Sequence, residues 1–154
     1  PHVLRVIRDV LYHEPRRRGT RSEPALDFLN HVTTRKTVTF LISDFIDSGF
    51  ETAMRITARR HDLIAVVVGD RAEAEWPAAG FVEWEDAETG HRTLVDTSDR
   101  RTRRALEAMH TEQREQLRSG VRSAGVDANE VTAGEPYERE FIQFFRQREQ
   151  RLRA

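Results

Sequence analysis

Leu63-Ile64-Ala65-Val66-Val67-Val68 is the segment that most constrains the fold of this chain. Six consecutive apolar residues without alternation describe a strand covered on both faces, as the central strands of parallel sheets are. Upstream, Thr37-Val38-Thr39-Phe40-Leu41-Ile42 is β-branched and aromatic, stops at Ser43-Asp44, and reads as a second buried strand. Between the two, Phe50, Ala53, Met54 and Thr57 recur at helical spacing, with Ser48 as the N-cap and an end near His61. Strand 37–43, helix 48–60 and strand 63–68 therefore predict a βαβ crossover, right-handed as such units are. The fold class that follows is α/β, a doubly wound, mainly parallel sheet flanked by helices.

The rest of the chain extends this scheme. Val3, Leu4, Ile7, Val10 and Leu11 carry helical spacing, and Ser22 is a plausible N-cap for a helix burying Ala25, Leu26, Leu29 and Val32. Phe81–Glu85 and Arg92–Val95 flank the turn Asp86-Ala87-Glu88-Thr89-Gly90-His91, the pattern of an inserted β-hairpin. A long helix is expected from Ser98, burying Leu106, Met109, Leu117 and Val121. A short strand over Val126–Val131 follows, its Asp127, Asn129 and Glu130 suiting a sheet edge, and Pro136 opens a last helix with Phe141, Ile142, Phe144 and Phe145.

The chain has 154 residues, the length of one domain. Its 25 basic and 26 acidic residues leave a formal charge of −1, so no global field steers it toward nucleic acid or an anionic membrane. Lys36 is the only lysine. With no cysteine, disulfides, thiolate zinc sites and cysteine nucleophiles are excluded. No apolar run approaches the ~20 residues that span a bilayer, and no signal peptide opens the chain, which starts at Pro1.

Ligands of open α/β sheets gather at the carboxyl ends of strands. Ser43, Asp44 and Asp47 follow the first strand and Asp70 the second. Asp44 ends an apolar run where a metal or phosphate ligand would sit; the competing reading is that Asp44 and Asp47 cap the next helix. His61-Asp62 spells a dipeptide of metal-dependent phosphohydrolases, but it also suits a helix C-terminus followed by a strand start. His13, His31, His91 and His110 lack ligand spacing. Arg16-Arg17-Arg18 reads as an anion site or a solvated basic loop, and Trp76 and Trp84 as hairpin cover or a stacking platform. No phosphate-binding glycine loop or nucleophile elbow is present.

Gly19-Thr20, the helix Ala25-Leu26-Asp27-Phe28-Leu29-Asn30 and Phe40-Leu41-Ile42-Ser43-Asp44-Phe45-Ile46-Asp47 together resemble bacterial family 58 of the domains of unknown function. Arg59-Arg60-His61-Asp62-Leu63-Ile64-Ala65-Val66 and Phe144-Phe145-Arg146 are similar to the same family. The resemblance implies a von Willebrand factor A-like core, of which residues 1–154 would be the C-terminal part. Such domains carry a metal-ion-dependent adhesion site, in which Thr20 matches the threonine ligand and Asp44 the aspartate at a strand end. The bound ion would be Mg²⁺ or another divalent cation. No segment reads DxSxS after an apolar strand, and Arg21 stands where the family often has an acidic residue. Two ligands fall short of the about six oxygens that hard divalent cations take.

The resemblance further implies a non-catalytic binding and assembly module whose partner is a MoxR-type AAA+ ATPase or its client. The expected location is cytoplasmic, with membrane association in the full-length protein. The rival function is an Asp-dependent phosphoacceptor or metal-dependent phosphotransfer enzyme using Asp44, although Lys36 lies at the opposite end of the same strand. The apolar edge Val38–Ser43 is expected to pair with a second copy, giving a homodimer, unless the helix Val3–Leu11 covers it.

Overall fold

The computed structural model describes residues 2–14, 21–47, 49–85 and 90–153. Its organising element is strand β2 (Asp62–Gly69), whose Leu63 through Val67 are all buried. Strand β1 (Val38–Ser43) pairs with it in parallel, from Val38 opposite Asp62 to Ser43 opposite Val67. Strand β5 (Asp127–Thr132) lies parallel on the other side, from Ile64 opposite Asp127 to Gly69 opposite Thr132. The order β1-β2-β5 gives β2 neighbours on both sides, alone among the strands of the described residues, which is why its sequence is apolar without a break.

One face of the sheet is well covered. Leu63, Ala65 and Val67 meet Leu26 of α2 (Ser22–Val32), Phe50 beside α3 (Glu51–Arg60) with Ala53 and Met54 within it, and Val121 of α5 (Arg100–Ser123). Fully buried side chains such as Leu26 and Met54 contribute about 1.5–3 kcal/mol each. Asn30 is buried here too and donates to the Thr57 hydroxyl at 2.7 Å, tying α2 to α3.

The opposite face is covered by α6 (Glu138–Arg153), whose Phe145 ring meets Phe40 edge-on at 6.1 Å. Arg148 fastens this helix. Its buried guanidinium donates to Asp62 at the start of β2 and to Asp127 at the start of β5, the latter at 2.6 Å. Arg151 adds a 3.0 Å ion pair to Asp127. The sequence expectation that β1 is buried does not hold: its side chains alternate, and Val38, Phe40 and Ile42 are 61%, 45% and 66% exposed. As the edge of a three-stranded sheet it has one covered face, and α6 reaches its outer face only at Phe40.

Helix α1 (His2–Leu11) forms where the apolar spacing places it, yet none of its residues is buried. The expected hairpin is strands β3 (Phe81–Glu85) and β4 (Arg92–Asp96), an antiparallel pair separate from the main sheet. Fully buried Thr97 closes its base, its N–H and hydroxyl both donating to Gly80 O, while Trp76 packs against Trp84 at 5.4 Å. The tryptophans are hairpin cover. A short helix, α4 (Arg71–Ala74), was not foreshadowed by any apolar period.

Boundaries shift in three places. Ser22 is the first residue of α2 and not its N-cap; Arg21 holds that position without a side-chain cap. Helix α5 starts after Asp99, whose carboxylate accepts from Arg101 N, and its Met109 is exposed because the helix meets the core only in its second half, through Leu117 and Val121. The last helix begins at Glu138, two residues past Pro136, and its Ile142 faces solvent. The expected cap Ser48 lies outside the described residues.

Candidate functional site

Parallel pairing brings the carboxyl ends of all three strands, Ser43, Gly69 and Thr132, to one edge of the sheet. At the first of these the chain turns sharply. Phe45 adopts a left-handed conformation (φ 57°), which costs a bulky side chain on the order of 1 kcal/mol. The cost is offset by burial of its ring, 5.2 Å from that of Phe50. The Ser43 hydroxyl accepts from Phe45 N at 3.0 Å, and an Asp44 carboxylate oxygen accepts from Ile46 N at 3.3 Å. Driving Phe45 inward turns Asp44 outward: it is exposed, and no described residue forms an ion pair with it.

Asp47 has a different occupation. Its carboxylate accepts from the Ser22 backbone N–H at 2.6 Å and from the Ser22 hydroxyl at 3.1 Å. It therefore caps α2, twenty-five residues upstream, and not the helix that follows it, where a carboxylate also meets the positive end of the helix dipole. Asp70 caps α4 by accepting from Ala72 N at 2.8 Å.

Beyond β2 an open cleft of about 330 Å³ runs between Gly69, Asp70, Arg71, His110, Arg114 and Glu135. Arg114, which lines it, shares Glu130 with a second arginine of α5. Arg118 grips both Glu130 oxygens at 2.6 and 2.8 Å, and Arg114 pairs with one of them at 2.5 Å. These bonds, Arg118's first, hold the Glu130 carboxyl below its ordinary pKa, and the Arg118 guanidinium is raised in turn. The Arg114 head lies so close to the strand end that a Cβ on Gly69 would come within 2.6 Å of it. The sequence pointed to none of these arginines, because their partner is on a strand twelve or more residues away.

Of the two expected metal ligands, Asp44 stands at the strand end as anticipated, while Thr20 lies outside the described residues. The Ser43 hydroxyl donates to the Asp44 carboxylate at 3.4 Å, while Asp47 is engaged with Ser22. No group of three or more His, Asp or Glu among the described residues is arranged to hold a metal. His61 and Asp62 lie at the opposite end of β2. His61 is buried, closes α3 through its backbone N–H to Thr57 O, and hydrogen-bonds Thr37 through Nδ1 at 3.1 Å, while Asp62 serves the Arg148 clamp. Both are structural.

No helix among the described residues is long and apolar enough to cross a membrane. The chain finds no match among curated proteins or among solved structures. A family model does match it over residues 1–116, from α1 into α5, which is three quarters of its length. By that match the chain belongs to the family described as "Protein of unknown function DUF58".

Proposed function

We propose that the chain is a non-catalytic protein-binding and assembly module, engaging a MoxR-type AAA+ ATPase or its client through the carboxyl edge of the sheet. The observation that carries this reading is Asp44. A strained turn anchored by a buried phenylalanine presents an exposed carboxylate that no described residue neutralises. Strain retained at one residue, with its side chain offered to solvent, is a feature of recognition sites. The cleft beside Gly69 and Arg114 extends the same edge and supplies further polar contacts.

Binding of the purified chain to a MoxR-type ATPase, measured by calorimetry with and without Mg²⁺, tests the reading. Asp44→Ala should weaken the complex at least about tenfold, a loss of about 1.4 kcal/mol, without lowering the melting temperature. Unchanged affinity would remove Asp44 from the interface. Covalent labelling of Asp44 by a small phosphodonor would favour a phosphoacceptor instead. Divalent cations alone should bind weakly, through Asp44 and the Thr20 that the family resemblance assigns. A dissociation constant tighter than roughly micromolar that Asp44→Ala abolishes would reveal a more complete ligand set.

A further inference from the structure

We propose that the cleft beside Gly69 binds a peptide carboxylate, with the Arg114 guanidinium as its anchor and His110 as a second donor. The inference rests on the partner-binding reading and names the group the partner presents there, an acidic side chain or a free chain end. Leu106, His110, Arg114, Leu117 and Val121 follow one another at intervals of three and four residues, so they line one stripe of α5. Toward the end of the helix this stripe is core: Val121 is buried, and Leu117 packs against the buried cluster. Where it passes the carboxyl end of β2 it turns polar, and His110 and Arg114 line the cleft. An apolar pair would close the strand end without the desolvation that a charged group incurs.

The cations on this wall outnumber their acid. Arg118 already takes both oxygens of Glu130, at 2.6 and 2.8 Å, and Arg114 adds one bond from Nη2 to the same carboxylate. Two guanidiniums thus share one negative charge, and the less exposed of the two side chains, at 25% against 53%, is that of Arg114. Its Nε and Nη1 donors have no hydrogen-bond partner among the described residues. Nη1 lies against the strand end, 2.6 Å from where a Cβ on Gly69 would stand. His110, half-buried and four residues earlier, has no hydrogen bond or ion pair among the described residues either. Open donors and one surplus positive charge suit an anion. The other charges lining the cleft limit what that anion is. Arg71 and Glu75 pair with each other at 3.3 Å, while Asp70 and Glu135 stand exposed. Those two carboxylates repel a phosphate dianion twice as strongly as a carboxylate, whose single charge matches the surplus.

Backbone amide shifts of Gly69, Asp70 and Arg114, followed by NMR on the chain alone, read the site. A capped peptide carrying one glutamate should move them with a dissociation constant of about 1 mM, and the same peptide with glutamine should not. Acetate carries the group outside a peptide and should bind no tighter than the glutamate peptide; a preference for acetate gives the cleft to free acids and overturns the peptide source. Inorganic phosphate should bind more weakly still, and the reverse order overturns the carboxylate assignment. Arg114→Gln should weaken the peptide about tenfold or more, with the fold kept because Arg118 still holds both Glu130 oxygens. Gly69→Ala leaves every charge in place and meets no left-handed backbone, yet its Cβ displaces Nη1. It should weaken the peptide at least about threefold.

Failure here is separable from failure of the recruitment reading, because Asp44 lies at another strand end and Asp44→Ala should leave the affinity for the peptide unchanged. A chain that binds a MoxR-type ATPase but no glutamate peptide overturns the carboxylate site alone. One that binds the peptide through Arg114 but no such ATPase overturns the recruitment reading and upholds the site. Parent affinity for the peptide in either Arg114→Gln or Gly69→Ala, with the remaining amide shifts native, overturns the proposal outright.

Discussion

Arg148 is 9% exposed and holds two carboxylates at the same end of the sheet, Asp62 and Asp127. Removing it leaves Asp62 without its cation and Asp127 with Arg151 alone. Breaking a buried pair this way costs 3–5 kcal/mol; solvent still reaches both aspartates, so about 2 kcal/mol is expected for Arg148→Ala by urea unfolding. Arg148→Lys should recover less than half, because an ammonium cannot fork between two acceptors. A cost below about 0.5 kcal/mol would mean the clamp is ornamental. Glu130 offers a titration. Its folded pKa lies below the ordinary carboxylate value, so its ion pairs stabilise the fold above that value and are lost as pH falls through the folded pKa. Glu130→Gln should therefore cost about 1 kcal/mol at pH 7, a figure kept small because Arg118 is largely exposed. The gap from the parent chain should narrow as pH falls below the ordinary glutamate value and close once it passes the lowered folded one. A gap independent of pH would assign the loss to packing.

At the scale of elements, β2 and β1 make opposite demands on substitution. Val66 is 3% exposed in a strand covered on both faces, so Val66→Asp places an unpaired carboxylate in the core and costs several kcal/mol. Asp44→Asn, in the exposed turn, should move the melting temperature by less than about 2 °C. Equal melting points for the two would contradict the sheet assignment. The strand, helix, strand unit was legible in the sequence because its signals are local: an apolar run, a helical period, a stop at Ser43-Asp44. What was not legible depends on neighbours. Whether β1 is covered is decided by how many strands and helices lie beside it, and a six-residue window holds no record of that. The same holds for Asp47, whose helix-capping role was foreseen but not its direction, since Ser22 reaches it only through the tertiary fold. The Arg148 clamp becomes visible only once Asp62 and Asp127 are known to open parallel strands at the same end of the sheet. Asp44 was placed correctly because a strand's carboxyl end is a sequence-local position.

Across the whole molecule, stability is concentrated on one side of the sheet. The buried cluster joins α2, α3, β2 and α5, whereas α1 contributes no buried residue although Leu4, Val10 and Leu11 are each more than 70% exposed. A ten-residue helix that buries no residue is marginal in water, because nucleation is costly and few backbone bonds follow it. Local opening free energies should therefore run from near zero in α1 to the global value in β2. Hydrogen exchange of the chain alone should show α1 amides exchanging within seconds, with those of Ala65 to Val67 protected to the limit of global unfolding. Deleting His2–Leu11 should leave the urea midpoint unchanged while lowering the tendency to aggregate, since it removes an exposed apolar stripe. If α1 exchanges as slowly as β2, the helix is docked on an apolar surface in solution. Repeating the exchange over a dilution series then says whose surface it is: protection that fades with dilution belongs to another copy, and protection that persists belongs to the chain's own sheet.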